Sequence, residues 1–328
     1  MLKTIGEFDL IERYFKRPSR RALLGVGDDC ALIQPQAGAT LAISCDMLVA
    51  GRHFLEEVSP FDLGHKALAV NLSDLAACGA EPLAFTLALS LPQVDEAWLE
   101  GFSRGLLQLA DAHECELVGG DTTAGPLNIC ITVLGEVRGP ALLRSAAQAG
   151  DDIYVSGHLA DARLALGALL GQRALPADLL AQTRIRLERP EPRVRLGLAL
   201  RGVANAAIDL SDGLIGDLGH VLKASGVGAS LQTDALSSLM QACAHPQWPE
   251  VAGGISVLDE VLSGGDDYEL LFTAPVERRA QVQDASAQSR TRVTRIGQIE
   301  SQTGLRLVDP AGRLVHAASR SFDHFRTR

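Results

Sequence analysis

The chain has 328 residues, a formal net charge of −10 at pH 7, and 47% hydrophobic against 21% charged residues. This composition is typical of a globular protein and excludes a disordered chain, and the length allows two domains of ordinary size. Because the charge is negative and no cluster of basic residues is present, we expect no nucleic-acid binding.

The first half mixes strands and helices without strict alternation. One helix is predicted from Ser59-Pro60, where Asp62 completes a capping box, to Gly79, and a second from about 95 to 113, where apolar residues recur at helical spacing. The predicted strands are 21–26, 41–46, 83–91, 115–119 and 127–137. This order favours an α+β domain with much antiparallel pairing.

A break in the pattern at 138–152 contains Gly139-Pro140 and Gly150. Beyond it, strands are predicted for DIYVSG, AAIDL, 268–274, 292–299 and 305–309. Helices are predicted at about 159–170, at about 193–204 and from Ser211-Asp212, with a polar, proline-containing stretch at about 171–192. The sequence therefore predicts two domains, a mixed-sheet N-terminal domain at 1–138 and an α/β C-terminal domain at 139–328.

The N-terminal fifteen residues carry Glu7, Asp9 and Glu12 among apolar residues, which does not fit a signal peptide. No uninterrupted apolar stretch reaches the ~18 residues that a membrane-spanning helix needs. The six cysteines form no C-x-x-C pair, which favours reduced thiols over a zinc or redox site. We expect a cytoplasmic protein that does not interact with a membrane.

Aspartates recur where an apolar, strand-like run gives way to a turn of small residues. They are Asp28, Asp29, Asp46, Asp121, Asp209, Asp212, Asp266 and Asp267, and Asp74 adds a carboxylate on an apolar helix. A carboxylate at a strand end is held by a rigid scaffold and faces a cleft, and oxygen ligands suit Mg²⁺. The pattern predicts a composite magnesium site, although a single member such as Asp212 could instead cap a helix.

The usual nucleotide-binding motifs are absent. No lysine follows a glycine, which excludes a phosphate loop of the G-x-x-x-x-G-K-[ST] type. The segment from Gly25 begins like a dinucleotide fingerprint but has Cys30 where the third glycine belongs. Phosphate chemistry would therefore depend on Mg²⁺ held by aspartates, on backbone N–H groups of glycine turns, and on arginine.

The ordered motifs resemble those of the thiamine-monophosphate kinase family, in a superfamily with aminoimidazole ribonucleotide synthetase. The resemblance covers essentially the whole chain. It is carried by GEFDLI, GVGDDCALI, LAISCDMLVAGRHF, KALAVNLSDLAACGAEP, LVGGDTT, RSAAQAGDDIYVSG, AAIDLSDGL, LSGGDDYEL and FDHF. It implies an enzyme that phosphorylates thiamine monophosphate directly from ATP, with several Mg²⁺ ions, and that forms a homodimer through its N-terminal domains.

The resemblance also implies residue roles. The metal ligands would be Asp29, Ser44, Cys45, Asp46, Asp74, Asp121, Asp209 and Asp212. ATP would contact Gly120, Asp121, Arg144 and Ser211, and thiamine monophosphate would contact His53, Asp266 and Phe322. Three of these positions depart from the residues that are common in the family. The position of Cys45 is often threonine there, that of Asp266 glutamate and that of Phe322 tyrosine. Because a thiol is a poor ligand for Mg²⁺, Cys45 could contribute its side chain or only its backbone carbonyl.

Two alternatives remain open from sequence. Another ATP-using enzyme of the same superfamily would share these motifs. A non-catalytic Mg²⁺ or nucleotide sensor would keep the ligands without turning over ATP. Absence of ATP turnover with thiamine monophosphate would favour the sensor.

Overall fold

The computed structural model describes residues 6–315, so the predicted substrate residue Phe322 lies outside the described residues. The chain divides into two compact units, Met1–Leu75 with Ala80–Gly139, and Ala76–Gly79 with Pro140–Arg328. Within 6–315, no helix combines the length and the apolar character needed to cross a membrane.

Unit 1 contains a four-stranded mixed sheet with helices. Its strand order is β1-β4-β2-β3, in which β2 and β3 are parallel and the other pairs antiparallel. The elements are α1 (Glu7–Tyr14), β1 (Thr40–Val49), α2 (Pro60–Cys78), β2 (Glu81–Leu91), α3 (Glu96–Ala112), β3 (Glu116–Ala124) and β4 (Asn128–Val137).

The two faces of β1 have different environments, because successive side chains of a strand point to opposite faces. On one face Ser44 donates a hydrogen bond to Asp74 of α2, and Leu48 is buried. On the other face Ile43 and Met47 are 64% and 53% exposed. Helix α2 therefore covers one face of the sheet at β1, and the opposite face presents apolar side chains to solvent.

The predicted strand at 21–26 is wrong. The segment makes only isolated bridges, an antiparallel one between Leu24 and Leu32 and a parallel one between Val26 and Asp28. The backbone N–H groups of Arg20, Arg21 and Ala22 instead donate to the carboxylate of Glu116, so this side chain replaces a strand partner. The other strands predicted for the first half are present with longer or shifted bounds.

Unit 2 contains a seven-stranded sheet of order β11-β10-β7-β9-β5-β8-β6, antiparallel except for the β10–β7 pair. Short 3-10 helices at Gln241–Ala244, Ala252–Gly254 and Val276–Arg278 supplement the other elements. The α-helices and strands of unit 2 are, in chain order, β5 (Asp152–Ser156), α4 (Asp161–Leu169), α5 (Ala177–Glu188), α6 (Val194–Ala199), β6 (Ala206–Leu210), α7 (Leu214–Ser225), β7 (Gly228–Gln232), α8 (Thr233–Ser237), α9 (Trp248–Val251), α10 (Val257–Ser263), β8 (Glu269–Ala274), α11 (Arg279–Ser289), β9 (Val293–Glu300), β10 (Gly304–Val308) and β11 (Leu314–Val315).

The core of unit 2 lies around β5, β6 and β8, which are buried at every position. A buried carboxylate in this core must be paired to be tolerated. Glu269, which is fully buried, accepts hydrogen bonds from Arg186, Arg193 and Ser156. These bonds and charges keep the pKa of Glu269 below its usual value although burial alone would raise it. Strand β8 is thereby fixed immediately after the GGDDY segment.

The prolines of the predicted polar stretch delimit an unpredicted helix, α5. Pro176 occupies its N-cap position and Pro190 follows its C-cap residue, Arg189. A proline is tolerated at such positions because it lacks only an N–H group that the helix does not use. Helix α7 begins at Leu214 and not at Ser211, since Gly213, with φ +103°, is outside the helical region.

Candidate functional site

In unit 1, β1 and α2 bring Ser44, Asp46 and Asp74 together. The Ser44 hydroxyl donates to Asp74, and the backbone N–H of Asp46 donates to Asn71 Oδ1 at 3.1 Å. Burial, and then the negative charge of Asp74, raise the pKa of Asp46 to about 6. The ionised form of Asp46 is thus disfavoured first by burial and then by the neighbouring charge, and a bound cation would favour it.

The side chain of Cys45 does not join this group, because strand alternation places it on the opposite face of β1. Its sulfur lies 3.5 Å from Cys130 Sγ and accepts a hydrogen bond from Thr132 Oγ1. Of the two alternatives left open for Cys45, the side chain does not lie beside Ser44, Asp46 and Asp74. Only its backbone carbonyl remains available for that role.

A cleft of about 730 Å³ in unit 1 brings two sequence motifs together. Asp28 and Asp29 line it from one loop, and Gly120 and Asp121 from β3. Asp28 accepts a hydrogen bond from the backbone N–H of Asp29 at 2.8 Å. Gly120 has φ +148°, and a Cβ atom there would lie 1.9 Å from the Leu87 carbonyl oxygen, so only glycine fits.

Helix α1 gives this cleft an apolar wall, which the sequence reasoning missed. Phe8 and Ile11 line the cleft from α1, and Phe15 lines it from the C-cap position of that helix. Phe8 is 83% exposed, an unusual state for a large aromatic side chain. The cleft thus combines carboxylates, a glycine in strand β3 and an aromatic surface, which is the composition of a small-molecule site.

His53 lies just beyond β1 and is anchored to it. The backbone N–H of Val49 donates to His53 Nδ1 at 3.1 Å, and the His53 N–H donates to the Val49 carbonyl at 3.0 Å. An Nδ1 atom that accepts a hydrogen bond requires the neutral ring to carry its proton on Nε2. His53 therefore has a fixed orientation and a protonated Nε2 atom.

Within residues 6–315, no group of three or more His, Cys, Asp or Glu side chains is arranged to hold a metal ion. Unit 1 brings the predicted ligands together as two sets, Asp46 and Asp74 with Ser44, and Asp29 with Asp121 along the cleft. Their donors are hard oxygen atoms, the type that Mg²⁺ prefers. The magnesium site remains a prediction.

In unit 2, the predicted ligands lie at the end of β6. Asp209 is buried on the strand, and Ser211 and Asp212 are half-buried in the turn that follows. One oxygen of the buried Asp217 accepts hydrogen bonds from the backbone N–H groups of Ser211 and Asp212, at 3.0 and 3.1 Å. Burial raises the pKa of Asp217 to about 7, partly opposed by these hydrogen bonds and by the charge of Arg144. Arg144 itself is exposed.

The loop before β8 lies beside this turn. The N–H groups of Asp266 and Tyr268 donate to the carbonyls of Ser211 and Leu210, at 2.9 and 2.8 Å. Asp266 and Tyr268 have φ values of +66° and +50°, a left-handed conformation that costs roughly 1–3 kcal/mol for each such residue. The structure thus brings the predicted substrate residue Asp266 next to Ser211 and Asp212.

Asp267 faces the interior, unlike its neighbour Asp266. It is 5% exposed, and both of its carboxylate oxygens lie 3.0 Å from the backbone N–H of Ala160. Burial raises its pKa well above the usual value. Neither this role nor that of Asp217 was assigned from sequence. The available signal for Asp217 was an acidic residue in the first helical turn, where it can bond the backbone preceding the helix.

Two regions match models of the AIR synthase related protein family, 27–137 its N-terminal domain and 148–310 its C-terminal domain. The chain is 47% identical to thiamine-monophosphate kinase of Salmonella typhimurium over 98% of this chain and 99% of the relative. The Bacillus subtilis relative of the same name is 32% identical over 98% of this chain and all of that protein. The chain belongs to the thiamine-monophosphate kinase family of AIR synthase related proteins. The resemblance stated from the motifs is confirmed.

Solved structures agree with this family membership. A thiamine-monophosphate kinase from Stenotrophomonas maltophilia is 45% identical, with a TM-score of 0.80 over 88% of this chain and 91% of that chain. The structure described as AaThiL complexed with AMPPCP and TMP is 29% identical, with a TM-score of 0.75 over 89% of each chain. These matches confirm the predicted fold class, two mixed α/β domains with mixed sheets.

Proposed function

We propose that the protein transfers the γ-phosphoryl group of ATP to thiamine monophosphate, which gives thiamine diphosphate and ADP. The observation that carries this proposal is the relative complexed with AMPPCP and TMP, whose fold matches 89% of this chain. AMPPCP is an ATP analogue, so that relative binds an analogue of one proposed reactant together with TMP. The 47% identity to a named thiamine-monophosphate kinase over nearly the full length supports the same activity here.

The proposed reaction needs positioning and charge neutralisation more than proton transfer. The attacking oxygen of thiamine monophosphate is already deprotonated at pH 7, so no general base is required. Bringing two phosphate groups together is costly, since one pair of unit charges at ~4 Å and an effective dielectric constant near 20 repels by roughly 4 kcal/mol. Bound Mg²⁺ would offset this repulsion and stabilise the transferring group.

The oxygen donors in both units fit such metal ions. In unit 1 these would be Ser44, Asp46, Asp74, Asp29 and Asp121, with Cys45 limited to its carbonyl; in unit 2 they would be Asp209 and Asp212. The raised pKa of Asp46, caused by burial and then by the Asp74 carboxylate, supports this role, because a cation would stabilise the two charged groups.

The nucleotide would occupy the cleft of unit 1. Gly120 in β3 has no side chain and would let the backbone approach phosphate closely, and Asp121 lies next to it. The aromatic wall at Phe8 suits a planar base, because aromatic rings stack favourably. In unit 2, Ser211 and Arg144 would contact ATP, with the Arg144 guanidinium pairing with phosphate oxygens.

The acceptor substrate would contact His53 and Asp266, and Phe322 stays a prediction outside the described residues. Protonated Nε2 of His53 can donate to a phosphate oxygen. The Asp266 carboxylate can balance the cationic thiazolium or accept from the aminopyrimidine. The left-handed backbone at Asp266 supports a functional role, because such strain concentrates at ligand-binding sites.

We also propose a cytoplasmic homodimer formed through the uncovered sheet face of unit 1. Leu41, Ile43 and Met47 expose apolar surface on β1, and apolar patches of this kind mark protein interfaces. Replacing Ile43 by glutamate should shift the mass measured by light scattering from dimer towards monomer. A parent protein that is monomeric at micromolar concentration would contradict the dimer.

A coupled assay for ADP release, with and without thiamine monophosphate, tests the activity. We expect ADP release that depends on both thiamine monophosphate and Mg²⁺, and its loss in Asp121→Asn. The control Asp111→Asn, an exposed carboxylate on α3 paired with Arg17, should retain parent activity. ADP release with a different acceptor would favour another enzyme of the superfamily, and ATP binding without turnover would favour a sensor.

A further inference from the structure

Asp217 occupies an unusual place for a carboxylate. It lies in the first turn of α7, is 3% exposed, and has the buried Leu214 and Leu218 as helix neighbours. Burying a charged group among apolar residues is unfavourable unless hydrogen bonds compensate. A carboxylate at this position therefore lowers stability unless its hydrogen bonds compensate, and those hydrogen bonds indicate its role.

Both hydrogen bonds of Asp217 Oδ2 go to the turn that precedes its own helix. The donors are the N–H groups of Ser211 and Asp212, at 3.0 and 3.1 Å. Two consecutive backbone N–H groups directed at one oxygen restrict the rotation of the peptides that carry them. The starting directions of the Ser211 and Asp212 side chains are therefore set by Asp217.

The same turn is confined from its other side. A Cβ atom on Gly265 would lie 2.5 Å from the Ser211 carbonyl oxygen, and one on Gly213 would lie 2.9 Å from the Ser263 carbonyl carbon. The Ser211 carbonyl also accepts the hydrogen bond from Asp266. The turn is thus held between Asp217 and the Ser263–Asp266 segment, with no room for a shift in that direction.

We propose that Asp217 is a positioning residue that sets the Ser211 hydroxyl and the Asp212 carboxylate for Mg²⁺ and ATP without contacting either ligand. This inference rests on the proposed function, which assigns Ser211 to ATP and Asp212 to the metal. It assigns to Asp217 a role that differs from a metal ligand and from a residue that only stabilises α7.

Substitutions at Asp217 separate these roles. Asp217→Asn keeps one carbonyl oxygen that can accept both N–H groups but lacks the negative charge of a metal ligand. Asp217→Ala removes the acceptor. Asp178→Ala is the matched control, because Asp178 is an exposed carboxylate in the first turn of α5. If the alanine variant does not fold, Asp217→Leu is used in its place, because a leucine side chain has nearly the shape of an aspartate side chain but accepts no hydrogen bond.

Two measurements give the result. The first is the Mg²⁺ concentration for half-maximal activity, with KM for ATP. The second, independent of turnover, is the rise in melting temperature caused by Mg²⁺ and the non-hydrolysable analogue AMPPCP. We expect Asp217→Ala to need roughly tenfold or more Mg²⁺ and to lose most of the thermal shift, since misplaced ligands bind weakly. Asp217→Asn should stay within about threefold of the parent, and Asp178→Ala should match the parent.

Two outcomes would overturn the proposal. If the asparagine variant, while folded, is as impaired as the alanine variant, Asp217 acts through its charge as a ligand. If the alanine or leucine variant keeps the parent Mg²⁺ requirement and thermal shift, Asp217 only stabilises the helix. Failure of the proposed function is distinguishable from failure of this inference. In that case the parent itself would lack turnover with thiamine monophosphate, but the thermal shifts of the variants could still be compared.

Discussion

Replacing Asp46 by asparagine should stabilise the protein when no metal is bound. Burial and the adjacent Asp74 raise the pKa of Asp46 from 3.8 to about 6. The folded chain therefore holds this proton more tightly than the unfolded chain does. For a carboxyl group with a raised pKa, stability falls as pH rises from about 4 to about 6, and the full loss is present at pH 7.

The size of this effect follows from the pKa difference. At about 1.4 kcal/mol per pKa unit, the shift corresponds to about 3 kcal/mol of lost stability at pH 7. Asp46 is only half-buried, so screening by solvent reduces the expected gain in Asp46→Asn to about 1–2 kcal/mol. That gain should raise the melting temperature by about 1–4 °C in EDTA at pH 7.

The assay is thermal unfolding of the parent and Asp46→Asn in EDTA at pH 7 and pH 4.5, and again at pH 7 with Mg²⁺. The stabilisation should shrink at pH 4.5, where the parent carries Asp46 mostly protonated. Mg²⁺ should stabilise the parent more than the variant. Asp111→Asn, on the exposed surface of α3, should change stability by less than about 0.5 kcal/mol. A lower melting temperature for Asp46→Asn in EDTA at pH 7 would refute the reasoning.

Four further predictions concern single side chains. Arg144→Ala should raise KM for ATP far more than KM for thiamine monophosphate in steady-state assays, and unchanged ATP kinetics would remove Arg144 from the site. Asp266→Ala should lower kcat/KM for thiamine monophosphate by roughly 1–3 kcal/mol of transition-state binding; an equal fall in ATP affinity, measured by calorimetry, would place Asp266 on the nucleotide side. Phe8→Ala should weaken ATP binding, whereas Phe8→Tyr, which keeps an aromatic ring, should bind ATP as the parent does; equal ATP affinities in the two variants would exclude stacking. Asp267→Ala should lower the free energy of unfolding by about 1–3 kcal/mol in urea because the Ala160 N–H loses its acceptor, whereas Asp267→Asn should retain most of the stability.

The positions of the strands and helices were predictable where periodicity was strong. The pattern at 83–91 and the helical spacing at 95–113 correspond to β2 and α3. The segment at 21–26 has a strand-like pattern, but Glu116, distant in sequence, accepts its N–H groups. A side chain nearly one hundred residues away cannot be read from local preference.

The sequence predicts which residues form the candidate site but not how they are arranged in space, and their roles remain predictions. Strand alternation alone places the Cys45 side chain opposite those of Ser44 and Asp46, and this would have favoured the backbone carbonyl over the thiol. The left-handed conformations of Asp266 and Tyr268 were not readable, because neither is glycine and each depends on hydrogen bonds to Leu210 and Ser211. The role of Asp217 likewise depends on tertiary structure, because its carboxylate is buried and accepts hydrogen bonds from the turn at Ser211 and Asp212.

The hydrogen bonds between the Leu210–Ser211 backbone and the Asp266–Tyr268 backbone also limit how the sequence can change. The N–H groups of Asp266 and Tyr268 reach the carbonyls of Ser211 and Leu210 only in one alignment of the two loops. Residue 265 also lies too close to the Ser211 carbonyl to carry a side chain. Adding or deleting one residue in either loop would therefore break the match in both. In related sequences, we expect these two loops to keep their lengths, while insertions and deletions collect in connections elsewhere in the chain.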